Sequence, residues 1–402
     1  MCLWVHRGTR LPPPLPASHK SIYVAPAVST STLFLPFSLY ITPHGMIPGY
    51  LRSPRAILQR VLSAKVRKMS TRIDNVELVH VQNVSIAKTS PALPGRALSR
   101  DQLAANFKNS EFSRKLNPRL EKDIANRWKV KIAQNPRLFN GSKFRRAGWE
   151  ISDGKLVINV GLTNYKDLCG TNFAENCNSL LDMGEREFGN SQAYMADALG
   201  VGVLLLTKDS HLVVARRADW LLEYPNFLDR AGGHPEPDHV FTPDGSLKPG
   251  LETDDVHEAV MNEIWDSAIK EAEDEVGLSR NQLEDFSCLG VTANTDEGGR
   301  PSMEFFAKLS LTASEVKALH ASGNQVEADE LTNLCMLPLQ QVATLVDLLL
   351  EGKPDPVGND VTARDEPRTM LKEMTSALKG ALLLAHHHQM LSIDGQGEED
   401  RP

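Results

Sequence analysis

The sequence predicts an α/β fold of the α+β kind in two parts: a small N-terminal α/β domain over residues 69–196 and a larger domain over 197–388. Three observations predict it. Two pairs of apolar runs, at 201–219 and 286–311, are each joined by a polar turn, as β-hairpins are. Segments of helical period stand before, between and after them. Composition changes at residue 69: the chain before it is rich in Pro and Ser and carries basic residues from Arg7 to Lys68 without an acid, the first acid being Asp74.

Residues 1–68 have two readings. An acid-free, Arg- and Ser-containing start that ends in RAILQRVLSAKVRK has the character of a mitochondrial transit peptide. Alternatively, translation starts at Met69 and the upstream residues are leader. Both place this segment outside the fold and predict disorder for it.

From residue 69 the elements follow in order. NVELVHVQNV alternates apolar and polar residues, the pattern of a half-buried strand. LSRDQLAANF (98–107) and NPRLEKDIANRWKVKIAQNP (117–136) read as helices, the second with Pro118 in its first turn. LVINVGLTNY (156–165) is a strand, and 170–195 a loop with a short helix. After the first hairpin comes a Gly- and Pro-rich loop, 227–255, then a helix over 256–276. The second hairpin leads to short helix 314–322, a helix over 337–352 ending at Gly352, and a last helix over 369–388. Residues 389–402 form a polar tail.

Composition excludes several classes. A net charge of −7 removes the global basic field that holds nucleic acid. No apolar run has the length of a transmembrane helix. Five scattered Cys without a CxxC pair suggest neither a disulfide framework nor a structural zinc site. Reduced thiols inside a cell are expected: in the cytoplasm, or in the mitochondrion if residues 1–68 are a transit peptide.

The chemistry concentrates in KEAEDEVGLS, 270–279. At helical spacing Glu271, Asp274 and Glu275 share one face at i, i+3 and i+4, and Glu273 points away. Met261, Trp265, Ala268, Ala272 and Val276 form the neighbouring apolar stripe, and Gly277 suits the left-handed end of the helix. Like charges at this spacing repel, whereas oxygen donors on one rigid face suit a hard divalent cation. The same three carboxylates are also compatible with a solvated face. His386–His388 has the pattern of a metal tract, but its place near a polar C-terminus argues against that reading.

Gly232–Gly233, the long loop and Lys270-Glu271-Ala272-Glu273-Asp274-Glu275-Val276-Gly277-Leu278 together resemble the second half of the Nudix hydrolase motif, with Lys270 where most members have Arg. In the first half the nearest acid is Glu263, one place off, and the loop after Gly233 is longer than the motif allows, so a general profile would fit poorly. NPRLFNGSKFR, GLTNYKDLCGTNF, QAYMADALGVGVLL, GGHPEPD, GRPSMEFFAKLSLT and ALKGALLL resemble the UDP-glucose pyrophosphatase branch of that family.

The resemblance implies a Nudix α/β/α sandwich with a mixed sheet, preceded by a small α/β domain. It implies Mg²⁺-dependent hydrolysis (Mn²⁺ as the alternative ion) of UDP-glucose and UDP-galactose to UMP and sugar 1-phosphate. The partner is then a small-molecule nucleotide sugar, not nucleic acid or membrane. Glu271 and Glu275 match the metal ligands, with Asp274 beside them. Phe139, Tyr165, Arg217, Leu222, Asp229, His234, Glu236 and Lys379 match substrate contacts. Arg217 and Lys379 suit phosphate oxygens, Phe139 or Tyr165 a uracil ring, and Asp229 or Glu236 sugar hydroxyls. The alternatives are a Nudix hydrolase acting on ADP-ribose or a dinucleotide, and a catalytically silent Nudix-like binding module.

Overall fold

The structure, a computed structural model, describes residues 77–81, 84–88, 97–221, 223–351 and 366–391. The expectations for residues 1–68, Gly352 and the tail from 392 onward lie outside the described residues.

A nine-stranded mixed sheet runs in the order β1 (Glu77–Val81), β2 (Val84–Lys88), β10 (Leu283–Asn294), β11 (Arg300–Leu309), β6 (Gly200–Leu206), β7 (His211–Arg217), β12 (Leu331–Pro338). Short β8 (Leu228–Asp229) pairs with β7, and β9 (Ala231–Gly233) with β6. The β6–β11 pair is parallel and its neighbours antiparallel. Every residue of β6 is buried, as a strand covered on both faces requires. Its side chains alternate between two cores. Val201, Val203 and Leu205 face helix α4 (Val256–Glu271), while Leu204 and Leu206 join a second cluster with α6 (Leu339–Glu351) and α8 (Ser376–His387). The result is an α/β/α sandwich.

A second, three-stranded sheet has the order β3 (Leu103–Phe107), β5 (Lys155–Asn164), β4 (Ser142–Ser152). It packs against α4, sharing one core with Val260, Ile264 and Ala268 through Leu103, Phe144 and Ile158. The Phe107 N–H donates to His257 Nδ1 at 2.9 Å, tying the small sheet to the start of that helix. Helices α1 (Pro118–Gln134), α2 (Tyr165–Gly170) and α3 (Cys177–Phe188) complete this layer. Asn117 caps α1 and Pro118 opens it, as expected for that sequence.

Four readings are corrected. LSRDQLAANF is not a helix. The helix-start signal is present, with the Gln102 side chain accepting from the Ser99 N–H at 3.1 Å, but it supports a single 3₁₀ turn at Arg100–Gln102. From Leu103 burial has period two, and pairing with β5 makes this segment β3. The last helix is split into α7 (Glu366–Lys372) and α8, because Thr375 caps a new helix and the intervening backbone pairs with Leu228. The loop 227–255 contains β8 and β9, while β4 and β12 were not anticipated from sequence pattern. Helix 256–276 is α-helical to Glu271 and then widens into a π turn over Ala272–Val276, closed by Gly277 at φ +87°.

Cys169, Cys177, Cys288 and Cys335 are free. Among the described residues no helix is long and apolar enough to cross a membrane.

Candidate active site

The site forms where the π turn meets β9. Asp255 caps α4 at its start, accepting from the His257 N–H at 2.8 Å. The apolar stripe from Ala259 to Ala272 seats the helix in the core, which fixes where its acidic end emerges. Glu271, Glu275 and Glu327 each present a carboxylate oxygen, all within 4.8 Å of one another. Glu275 is 1% exposed, and its Oε2 accepts the Gly232 N–H at 2.8 Å. Glu271 lies against Gly233, where a Cβ would collide with its carboxylate. A Cβ on Gly232 would stand 2.5 Å from the Val201 carbonyl oxygen. Only glycine therefore lets this backbone approach the acids so closely.

Glu327 was not anticipated. It comes from the segment between α5 (Ala313–Ala321) and β12, where its own N–H donates to the Asp274 carbonyl at 2.8 Å. Only the acid-rich run EADE, 327–330, hinted at it. Asp274 is not in this cluster; its carboxylate pairs with Lys270, one helical turn earlier, at 3.5 Å. Glu273 accepts from the Arg280 N–H at 3.0 Å, outside the cluster as expected. Glu263 accepts from the Glu236 N–H and Ser267 Oγ, both at 2.9 Å, and braces the 234–239 segment.

The acids repel. Burial, then the charges of Glu327, Glu330 and Asp274, push Glu271 up to about 8. Burial and Glu271 raise Glu275 well above the usual carboxylate range. Burial and Glu330 raise Glu327. The cluster is thus short of positive charge, and its hard oxygen donors fit a divalent cation such as Mg²⁺ or Mn²⁺.

A cavity opens beside Gly232–Gly233, and Tyr165, Arg217, Asp229, His234 and Glu330 line it. Phe139, 75% exposed, Glu236 and Lys379 are not in its lining, and Leu222 lies outside the described residues. Arg217 Nε donates to the Glu223 carbonyl at 2.9 Å. Asp229 accepts from Thr375 Oγ1 at 2.8 Å and from Arg230 Nη1 at 3.2 Å. Arg230 in turn holds Glu304 at 2.9 Å. Its guanidinium fills the space a side chain on Gly202 would need. Burial would raise Glu223, but Arg300, with Nη1 at 2.6 Å, outweighs it and holds the carboxyl down at about 2. Burial and the charge of Lys143 press His234 down to about 3, so its ring is neutral at pH 7. His234 Nε2 is buried without a hydrogen-bond partner. Tyr224, Asn294 and Arg300 were also missed as wall residues; their polar contacts join segments far apart in sequence.

No family model matches this chain. Among curated proteins, the uridine diphosphate glucose pyrophosphatase NUDT22 of Mus musculus is 32% identical over 305 residues, covering 74% of this chain and 90% of that protein. Its Homo sapiens counterpart is 34% identical, covering 63% and 84%. Nudix hydrolase 9 of Arabidopsis thaliana is 28% identical, covering 56% and 75%. Among solved structures, a Nudix hydrolase from Alicyclobacillus acidocaldarius overlaps 37% of this chain and 82% of its own, with 14% identity and a TM-score of 0.25.

Proposed function

This chain belongs to the Nudix hydrolases, and from that premise we propose that it hydrolyses the diphosphate of UDP-glucose, and of UDP-galactose, to UMP and the sugar 1-phosphate. The observation that carries the reading is the Glu271–Glu275–Glu327 cluster beside the cavity, in a chain similar to two named UDP-glucose pyrophosphatases.

Glu271, Glu275 and Glu327 would hold Mg²⁺, or Mn²⁺ in its place. Such an ion supplies charge neutralisation for the diphosphate and activation of a water. The chain's own residues do the rest. Gly232 and Gly233 admit the substrate's phosphates close to the backbone. Arg217 offers a planar donor pair to a phosphate oxygen. Neutral His234, with Nε2 uncommitted, exchanges one hydrogen bond with the substrate without adding charge. Tyr165 offers its face to the uracil, and Asp229, fixed by Thr375 and Arg230, accepts from a hydroxyl. Phe139, Glu236 and Lys379 would act from the rim or the neighbouring turn.

Phosphate release in a phosphatase-coupled assay, with UDP-glucose, ADP-ribose and NADH in parallel, tests the reading. UDP-glucose should be cleaved in Mg²⁺ to UMP and glucose 1-phosphate. Cleavage of ADP-ribose but not UDP-glucose overturns the substrate; no cleavage of any favours a binding module. Glu275→Gln at the wild-type rate would remove the proposed metal role.

A further inference from the structure

Arg217, which offers its fork to a phosphate oxygen, is aimed from one end. Among the described residues its side chain makes one hydrogen bond, from Nε to the Glu223 carbonyl at 2.9 Å. Its Nη1 stands 3.6 Å from Asp229 Oδ2, beyond hydrogen-bond distance. The direction of the guanidinium therefore depends on where the Glu223 carbonyl sits. Both residues line the cavity.

Glu223 lies in the connection from β7 to β8. Two neighbours there have left-handed backbone, Tyr224 at φ +48° and Asn226 at φ +66°. That conformation is uncommon without glycine and persists where surrounding contacts impose it. Two of the contacts come from residues far along the chain. Arg300 Nη1 donates to Glu223 Oε2 at 2.6 Å, and Asn294 Nδ2 to the Tyr224 hydroxyl at 2.7 Å. Arg300 is itself fixed on β11: its Nε stands 2.9 Å from Glu297 Oε2, and its Cζ lies 5.2 Å from the centre of the Phe173 ring.

We infer that Arg300 is a positioning residue for the diphosphate. Its ion pair with Glu223 holds the Glu223 carbonyl where it aims the Arg217 guanidinium, leaving both Nη atoms to phosphate oxygens. This rests on the nucleotide-diphosphate reading above and adds a pair that neither the motif nor its spacing marks. Arg300 acts through Arg217 and not by touching the substrate.

The test uses the full chain with Arg300→Met, Glu223→Gln, Arg217→Met and the double variant Arg217→Met/Arg300→Met. Arg300→Met and Glu223→Gln should each lower kcat/KM for UDP-glucose in Mg²⁺ by about tenfold. The double variant should fall within about twofold of Arg217→Met alone, because the two residues act as one unit. Inhibition by uridine should be unchanged throughout. Losses that add in the double variant would overturn the inference, since Arg300 would then bind substrate by itself. So would a gain in Glu223→Gln, where an Arg300 freed of its partner binds better. An equal weakening of uridine would overturn it too, as the mark of a distorted cavity. Glu223→Gln carries the test alone if Arg300→Met does not fold; kcat/KM within about twofold of wild type there is a refutation. If the wild type cleaves no nucleotide sugar, the substrate reading falls by itself. Calorimetric binding of pyrophosphate with Mg²⁺ to the same variants then still decides whether Arg300 acts through Arg217.

Discussion

At the scale of single residues, helical spacing reveals some acids and hides another. Glu271 and Glu275 are four apart on one helix, so their meeting is written in the sequence. Glu327 reaches them only after β10, β11 and α5 have run their course, and no local rule connects it to the helix. Asp274 shares the helical face with Glu271 by spacing, yet its carboxylate is taken by Lys270, also one turn away. These placements separate the acids experimentally. Glu327→Gln should lower Mg²⁺-dependent kcat/KM by about tenfold or more and raise the Mg²⁺ needed for half-maximal rate. Glu273→Gln, removing an acid committed to the Arg280 backbone, should leave both within about twofold. Steady-state kinetics across a Mg²⁺ titration checks the pair; equal losses in both would contradict the cluster.

At the scale of elements, a continuous apolar period predicts a continuous helix. In residues 369–388 that pattern persists, yet the chain stops and restarts at Thr375. Its hydroxyl accepts the Leu378 N–H at 3.1 Å and donates to buried Asp229 at 2.8 Å. The Thr-Ser start signal was present, but what makes the break pay off is contact with β8, which sequence pattern does not show. Thr375→Val keeps the shape and removes both bonds. It should destabilise the protein by about 2 kcal/mol, read as a lowered urea midpoint at unchanged m-value. A midpoint equal to wild type would mean that neither bond contributes. The first hairpin and the 256–271 helix were legible because apolar period and caps agree there. By contrast, the 98–107 segment pairs a helix-start signal with strand burial, and the sheet prevails.

At the scale of the whole molecule, the acidic cluster makes stability depend on pH and cation together. Glu271 has an ordinary value of 4.5 and is raised to about 8 when folded. Between those values the folded chain binds more protons than the unfolded one, so this group's contribution is lost as pH rises. Glu275 shifts in the same direction. The metal-free protein should therefore melt at a lower temperature at pH 8 than at pH 5.5. Mg²⁺, which competes with those protons, should raise Tm more at pH 8. Glu275→Gln should flatten both dependences; a wild-type Tm shift by Mg²⁺ that is larger at pH 5.5 would contradict the assignment. The order in which a ribosome delivers this chain has its own consequence. The acids of the π turn are made by residue 275, but β6 gains its parallel neighbour only with residues 300–309, and the cavity closes on residues 375–377. A nascent chain halted before residue 375 carries most of the motif without an enclosed pocket. It also leaves buried faces of the central strands uncovered, which makes late synthesis the period of greatest exposure to chaperones and to aggregation.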